Sequence, residues 1–174
     1  MIRVAVTGAE STGKSTLAER LAAHFGAPLG VEFARTYAER VGRRLTADDV
    51  APIARGQRDS EEDAIRRAPG GLVILDTDLL STMVYATYYY GSCPAWVLAE
   101  VRARRPELYL VCEPASVPWT PDPVRASAAD RESLHRRFVE AVRESGAAVA
   151  WLTGPADVRQ RSALVAISAL LDGM

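Results

Sequence analysis

One stretch near the start of the chain constrains everything that follows it. Gly8-Ala9-Glu10-Ser11-Thr12-Gly13-Lys14-Ser15-Thr16 satisfies the phosphate-loop pattern G-x-x-x-x-G-K-[ST] at every fixed position. The apolar run Ile2 to Val6 in front of it reads as a buried strand, and Leu17, Leu21 and Phe25 follow at helical spacing. A strand, a glycine-rich turn and a helix start form the context in which the pattern carries meaning.

The residue types match the chemistry. Gly8 and Gly13 allow backbone conformations that a Cβ would block, so successive N–H groups can converge on one anion. The helix opening near Lys14 adds the positive end of its dipole. Glu10, Ser11, Thr12 and Thr16 complete the loop's lining. Lys14 can reach the β- and γ-phosphate oxygens, and the Ser15 hydroxyl can ligate the Mg²⁺ that bridges them. Of 21 basic residues, 20 are arginine, and the single lysine is Lys14. A chain nearly without lysine keeps one where a compact, flexible ammonium suits phosphate. The stretch reads as a nucleoside-triphosphate site, with ATP and Mg²⁺ as the expected ligands.

The rest of the composition narrows the class. The 174 residues suit one domain, and 48% hydrophobic with 25% charged residues is ordinary globular usage. A net charge of −1 provides no field to attract nucleic acid. Cys93 and Cys112 stand apart without metal-ligand spacing, as do His24 and His135, so no zinc site is expected. Met1 leads straight into the first strand, no signal peptide is evident, and no apolar run is long enough to span a membrane. A cytoplasmic protein is expected.

Along the chain, Gly26 is placed to end the first helix, and residues 27–31 read as a second short strand. Residues 33–41 read as a helix. A further helix opens at Thr46-Ala47-Asp48-Asp49 and runs to about Ala68. Strands are expected over 72–75, 108–112 and 147–152, and helices over 79–90, 95–104, 128–145 and 156–171. This alternation predicts a parallel sheet covered on both faces, with ligands at the carboxyl ends of its strands.

Glu32, Asp76 and Asp78 all fall at that edge. Two apart in an extended segment, Asp76 and Asp78 point the same way. One would serve Mg²⁺ and its waters, the other a substrate hydroxyl, although Asp78 could equally cap the helix that begins at Leu79. Glu32 is the rival acid, with Arg35 one turn on as either ion-pair partner or substrate contact. The irregular, proline-rich segment 114–131 reads as a lid carrying Trp119, Asp122, Arg125 and Arg131. Arginines on a closing flap can stabilise transferring phosphate charge. Tyr89, Trp96 and Trp119 are candidate stacking faces for a flat acceptor, with core packing as the alternative.

Several of these stretches, taken in order, resemble the ribosylnicotinamide kinase domain of the bifunctional bacterial NAD-synthesis regulators. The resemblance rests on the phosphate loop, Glu32-Phe33-Ala34-Arg35-Thr36-Tyr37, Ile53-Ala54-Arg55-Gly56-Gln57 and Leu75-Asp76-Thr77-Asp78 with Leu80-Ser81-Thr82. Tyr90-Gly91-Ser92-Cys93-Pro94 with Trp96, and Pro118-Trp119 with Asp122 and Arg125, extend it. It implies a three-layer α/β/α P-loop fold of the nucleoside- and nucleotide-kinase kind, with sheet order 2-3-1-4-5. It implies transfer of the ATP γ-phosphate to the 5′-hydroxyl of nicotinamide riboside, with Mg²⁺ held by Ser15 and Asp76. Lys14, Asp78, Arg125 and Arg131 would act on the reacting groups. Glu32, Arg35, Asp76, Asp78, Tyr89, Trp96, Trp119 and Asp122 would surround the acceptor. Nothing precedes the first strand, so a single-activity kinase is expected. Because the chain has no asparagine, an acceptor amide would have to be read by backbone, hydroxyls, carboxylates or Gln57. A kinase for another nucleoside, nucleotide or cofactor precursor, or a nucleotide-dependent switch, are the competing readings.

Overall fold

In the computed structural model, the apolar runs become the strands of one parallel sheet. The structure describes residues 1–115, 117 and 128–173. β1 (Ile2–Thr7) runs into the phosphate loop, which opens into α1 (Lys14–Phe25). β2 (Leu29–Gly30), α2 (Phe33–Val41), a 3-10 turn (Ala47–Asp49) and α3 (Val50–Arg66) follow. Then come β3 (Leu72–Asp76), α4 (Leu79–Tyr90), α5 (Ala95–Ala103), β4 (Leu108–Cys112), α6 (Ala128–Ser145), β5 (Ala148–Leu152) and α7 (Ala156–Asp172). The sheet order is β2-β3-β1-β4-β5, every neighbouring pair parallel.

Alternation along the strands divides the core into two layers. Val4, Val6, Ile74 and Leu110 face α1 and α7, where they meet Leu17, Leu21, Ala163 and Ile167. Ala5, Val73, Leu75 and Tyr109 face the opposite way, onto Leu80 and Val84 of α4 and Leu134 and Phe138 of α6. β3 and β4 are buried at all positions, as strands covered on both faces must be. A third, smaller cluster joins Ala54, Leu79 and Val97 with half-buried Trp96 and Cys93.

β2 is shorter than the expected 27–31. Its pairing begins with the Pro28 carbonyl, which accepts from Ile74 N–H at 3.1 Å. Pro28 has no N–H of its own to contribute. Val31 leaves the sheet and is 54% exposed, so its apolar side chain marks no strand. α3 likewise stops at Arg66 rather than Ala68, the chain turning through residues 67–70 into β3.

Parallel pairing brings the functional edge together. Val6 sits beside Asp76, and Thr7 beside Val111, so the phosphate loop leaves the sheet between the ends of β3 and β4. Gly8 is the point of closest approach. It has φ 126°, and a Cβ there would lie 2.8 Å from the Cys112 carbonyl oxygen. No helix among the described residues is long and apolar enough to cross a membrane.

Candidate active site

Two left-handed residues and two hydrogen bonds shape the loop. Ser11 (φ 52°) and Gly13 (φ 79°) are left-handed, which curls the backbone so that its N–H groups line a concavity. Thr12 Oγ1 and Lys14 Nζ each donate to the Ala9 carbonyl at 2.8 Å. Residues 11–16, with Glu32 and Arg35, enclose a hollow of about 180 Å³. A second hollow of about 200 Å³ shares Thr12, Gly13 and Thr16, and has Leu17, Cys112, Val117 and Ala156 among its walls.

This arrangement fits a nucleotide with its metal. The backbone concavity and the opening of α1 suit phosphate oxygens. Mg²⁺ characteristically keeps several waters and takes only one or two protein groups besides phosphate oxygens. Ser15, in the first turn of α1, and buried Asp76, at the end of β3, are two protein groups of that kind at this edge.

Glu32 and Arg35 meet as expected. Glu32 is the residue before α2, and Arg35 Nε lies 3.9 Å from Glu32 Oε2. Both border the phosphate hollow. Asp76 and Asp78, by contrast, part company. Thr77 between them takes φ 65°, a costly conformation for a β-branched residue, while its N–H continues the ladder onto the Val6 carbonyl at 3.0 Å. This kink sends Asp78 to Tyr109, whose hydroxyl donates to Asp78 Oδ2 at 2.7 Å. Asp78 is 6% exposed, and burial raises its carboxyl to about 6, against the pull of the Tyr109 hydroxyl and the first amides of α4. Asp78 thus packs in the layer beneath α4, while Asp76 ends β3 beside Val6; neither carboxylate is among the residues lining the phosphate hollow.

Glu61 is a buried acid that sequence reading passed over. Its Oε1 accepts the Leu79 N–H at 3.1 Å, and Arg104 Nε approaches Oε2 at 3.4 Å. Burial first, and the neighbouring Asp78 charge second, push it up to about 8.

Gln57 is committed at both ends. Its Oε1 accepts the Phe33 N–H at 3.0 Å and its Nε2 donates to the Thr77 carbonyl at 3.4 Å. At 2% exposure it braces the start of α2 against the β3–α4 turn, so both ends of its carboxamide are taken up by backbone groups. Gly56 beside it leaves no space for a Cβ against the Phe33 ring.

Tyr89 is partly exposed, its ring parallel to Tyr85 with centroids 6.2 Å apart. Burial and the carboxylates of Glu10 and Asp130 raise its hydroxyl above the ordinary tyrosine range. Trp96 is half-buried, with the Arg55 guanidinium 5.6 Å from its ring centroid. Arg131 does not extend into the phosphate hollow. It donates to the carbonyls of Glu10 (3.2 Å), Ser11 (2.8 Å) and Val117 (2.8 Å). Trp119, Asp122 and Arg125, and with them most of the expected lid, lie outside the described residues.

Two further groups were missed at the sequence level. Arg159, in the first turns of α7, donates to the carbonyls of Gly154, Thr12 and Glu113. His135 Nε2 on α6 lies 3.0 Å from Glu113 Oε2. Neither carries a local signal, because each depends on contacts with residues distant in the chain.

Comparison with known proteins agrees with this geometry. The AAA domain family matches residues 3–161. The trifunctional NAD biosynthesis/regulator protein NadR of Salmonella typhimurium and that of Escherichia coli are each 30% identical over 151 residues. The match takes in 82% of this chain but 36% of those proteins. The crystal structure of NadR in complex with NAD and AMP-PNP superposes with a TM-score of 0.74, at 30% identity, over 95% of this chain and 48% of that one. NadR in complex with NR gives 0.73, also at 30% identity, over 95% and 50%. Thymidylate kinase from Ehrlichia chaffeensis, 12% identical, shares the fold over 97% and 98% of the two chains with a TM-score of 0.67. The chain is thus homologous over most of its length to one part of NadR and has a P-loop kinase fold.

Proposed function

The chain belongs to the AAA domain family, and from that premise we propose that it is an ATP-dependent kinase whose acceptor is nicotinamide riboside, phosphorylated at its 5′-hydroxyl to nicotinamide mononucleotide. The observation that carries the proposal is the continuity of one hollow. The loop residues that would hold the donor phosphates and the pair Glu32–Arg35, which would meet an acceptor, line the same space. The NadR structure in complex with NR, at 30% identity, supports the choice of acceptor.

The chain's own groups divide the work. Loop amides and Lys14 would orient the triphosphate, Lys14 giving up its bond to the Ala9 carbonyl as it does so. Ser15 and Asp76 would hold Mg²⁺, which when bound neutralises charge on the β- and γ-phosphate oxygens. Glu32 would hold ribose hydroxyls, with Arg35 beside it. Asp78, bound to Tyr109, would fix the turn that presents Asp76. Trp96, Trp119 and Tyr89 would border the nicotinamide and exclude water, Asp122 would hold the ribose, and the lid arginine Arg125 would meet the phosphates. Cys93 and Cys112 are both free thiols, in keeping with a reducing cytoplasmic setting.

The test is transfer from ATP with Mg²⁺, with and without nicotinamide riboside, reading ADP and nicotinamide mononucleotide together. One mononucleotide per ADP is the expected result. ADP release indifferent to the riboside would discard the acceptor and leave either another acceptor or a nucleotide-driven switch.

A further inference from the structure

Arg159 is a buried basic side chain at this edge of the sheet with its guanidinium fully engaged. It is 3% exposed, and each of its three guanidinium nitrogens donates to a different backbone carbonyl. Nε takes Gly154 at 2.7 Å, Nη1 takes Thr12 at 3.0 Å and Nη2 takes Glu113 at 2.5 Å. One residue from α7 thereby joins the β5–α7 turn, the end of β4 and the phosphate loop, the last of these 147 positions away. Arg131 holds the two preceding loop carbonyls, Glu10 and Ser11, by the same means. Three consecutive carbonyls of the loop are therefore tied to two guanidinium groups.

The consequence follows from peptide geometry. In a planar trans peptide, the C=O of one residue and the N–H of the next point in opposite directions. Drawing the carbonyls of Glu10, Ser11 and Thr12 toward the arginines turns the N–H groups of Ser11, Thr12 and Gly13 the other way. Residues 11–16 border the hollow, so these amides face where an anion would sit. Arg131 stands at the start of α6 and retains partial exposure, whereas Arg159 is 3% exposed and borders the second hollow on the other side of Thr12 and Gly13.

Resting on the nucleotide-site reading above, we infer that Arg159 is a positioning residue for phosphoryl transfer, holding the loop amides in the orientation that receives the β- and γ-phosphates without touching them itself. A charged donor to several carbonyls is required. Lysine can reach some of them but lacks the planar fork that reaches all three.

Binding of fluorescent N-methylanthraniloyl analogues of ATP and AMP to the full chain, with Mg²⁺, tests this without reference to any acceptor. Arg159→Met is expected to melt cooperatively and to bind the triphosphate analogue about tenfold or more weakly, while the monophosphate changes by less than about threefold. Arg159→Lys should fall between the two, and it decides by the same pair of affinities should the methionine variant fail to fold. Triphosphate affinity within about threefold of the unmodified protein overturns the inference, and so does an equal loss for both nucleotides, which marks a general structural role. Lys14→Ala separates the premise from the inference. If it binds the triphosphate normally, the nucleotide site itself is wrong and the inference falls with it. If it loses binding while Arg159→Met keeps it, only the inference falls.

Discussion

The Tyr109 hydroxyl donates to Asp78 at 2.7 Å, joining the first half of β4 to the residue that precedes α4. This bond distinguishes two carboxylates that lie two residues apart. Asp78 is held in the layer between sheet and helices, and Asp76 remains at the strand end beside Val6 and the root of the phosphate loop. Asp76→Asn is therefore expected to lower kcat by about 10²–10⁴-fold, because it would loosen a metal ion worth several kcal/mol of charge stabilisation. Asp78→Asn should lose less activity than that and more thermal stability. Steady-state kinetics and melts of the two variants decide the matter, and equal losses of kcat in stable proteins would return Asp78 to the chemistry.

Glu61 makes stability depend on pH in a direction opposite to most carboxylates. Its carboxyl rises from an ordinary 4.5 to about 8 in the folded chain. Between those values the folded state holds a proton that the unfolded state has released, so stability falls as pH rises through that window. Urea midpoints at pH 5 and pH 8 should show the decline, and Glu61→Gln should reduce it by on the order of 1–3 kcal/mol. Arg104 keeps Glu62 at 3.0 Å in the variant, which limits the cost of losing the ion pair. An unchanged decline would place the proton elsewhere.

Asp49 behaves in the usual sense. Arg43 donates to both its oxygens at 2.7 and 2.9 Å, and Tyr37 and the Thr46 N–H donate at 2.8 Å each. The Arg43 bond leads the causes that hold its carboxyl well below 3.8, so its contribution is present above that pH and lost as pH falls below it. Asp49→Asn should cost about 1–3 kcal/mol at neutral pH, with the difference shrinking in acid. Denaturant titrations across pH would show whether the gap closes.

Gly8→Ala combines a forbidden dihedral with a collision. The position has φ 126°, and the added Cβ would press on the Cys112 carbonyl. About 1–3 kcal/mol of strain is expected from the backbone alone. Nucleotide binding should fall further than stability does, because the loop must shift to relieve the contact. A variant with wild-type melting and wild-type affinity for the ATP analogue would show that the loop tolerates the shift.

The phosphate loop was legible in the chain because every residue that shapes it is local, and the strands because buried parallel strands are continuous apolar runs. The strand order was not legible in that way; periodicity gives alternation, and the order came with the resemblance. Val31 extended the expected β2 because apolar character does not reveal which way an edge residue faces. Gln57 could be named only as one option for an acceptor amide, because a buried carboxamide engaged at both ends looks, in sequence, like one free to bind a substrate. Arg159 was invisible for a related reason. It is one of 20 arginines, and only the approach of α7 to the loop gives it a task.

Lys14 is the sole lysine, 6% exposed, its ammonium lodged against the Ala9 carbonyl. The protein thereby carries a built-in reporter. An amine-directed reagent finds one side-chain address, and a lysine-directed protease finds one peptide bond, Lys14–Ser15, both at the loop. Labelling or cleavage rates, with no engineered tag, would read how often the loop opens and how firmly an occupant shuts it.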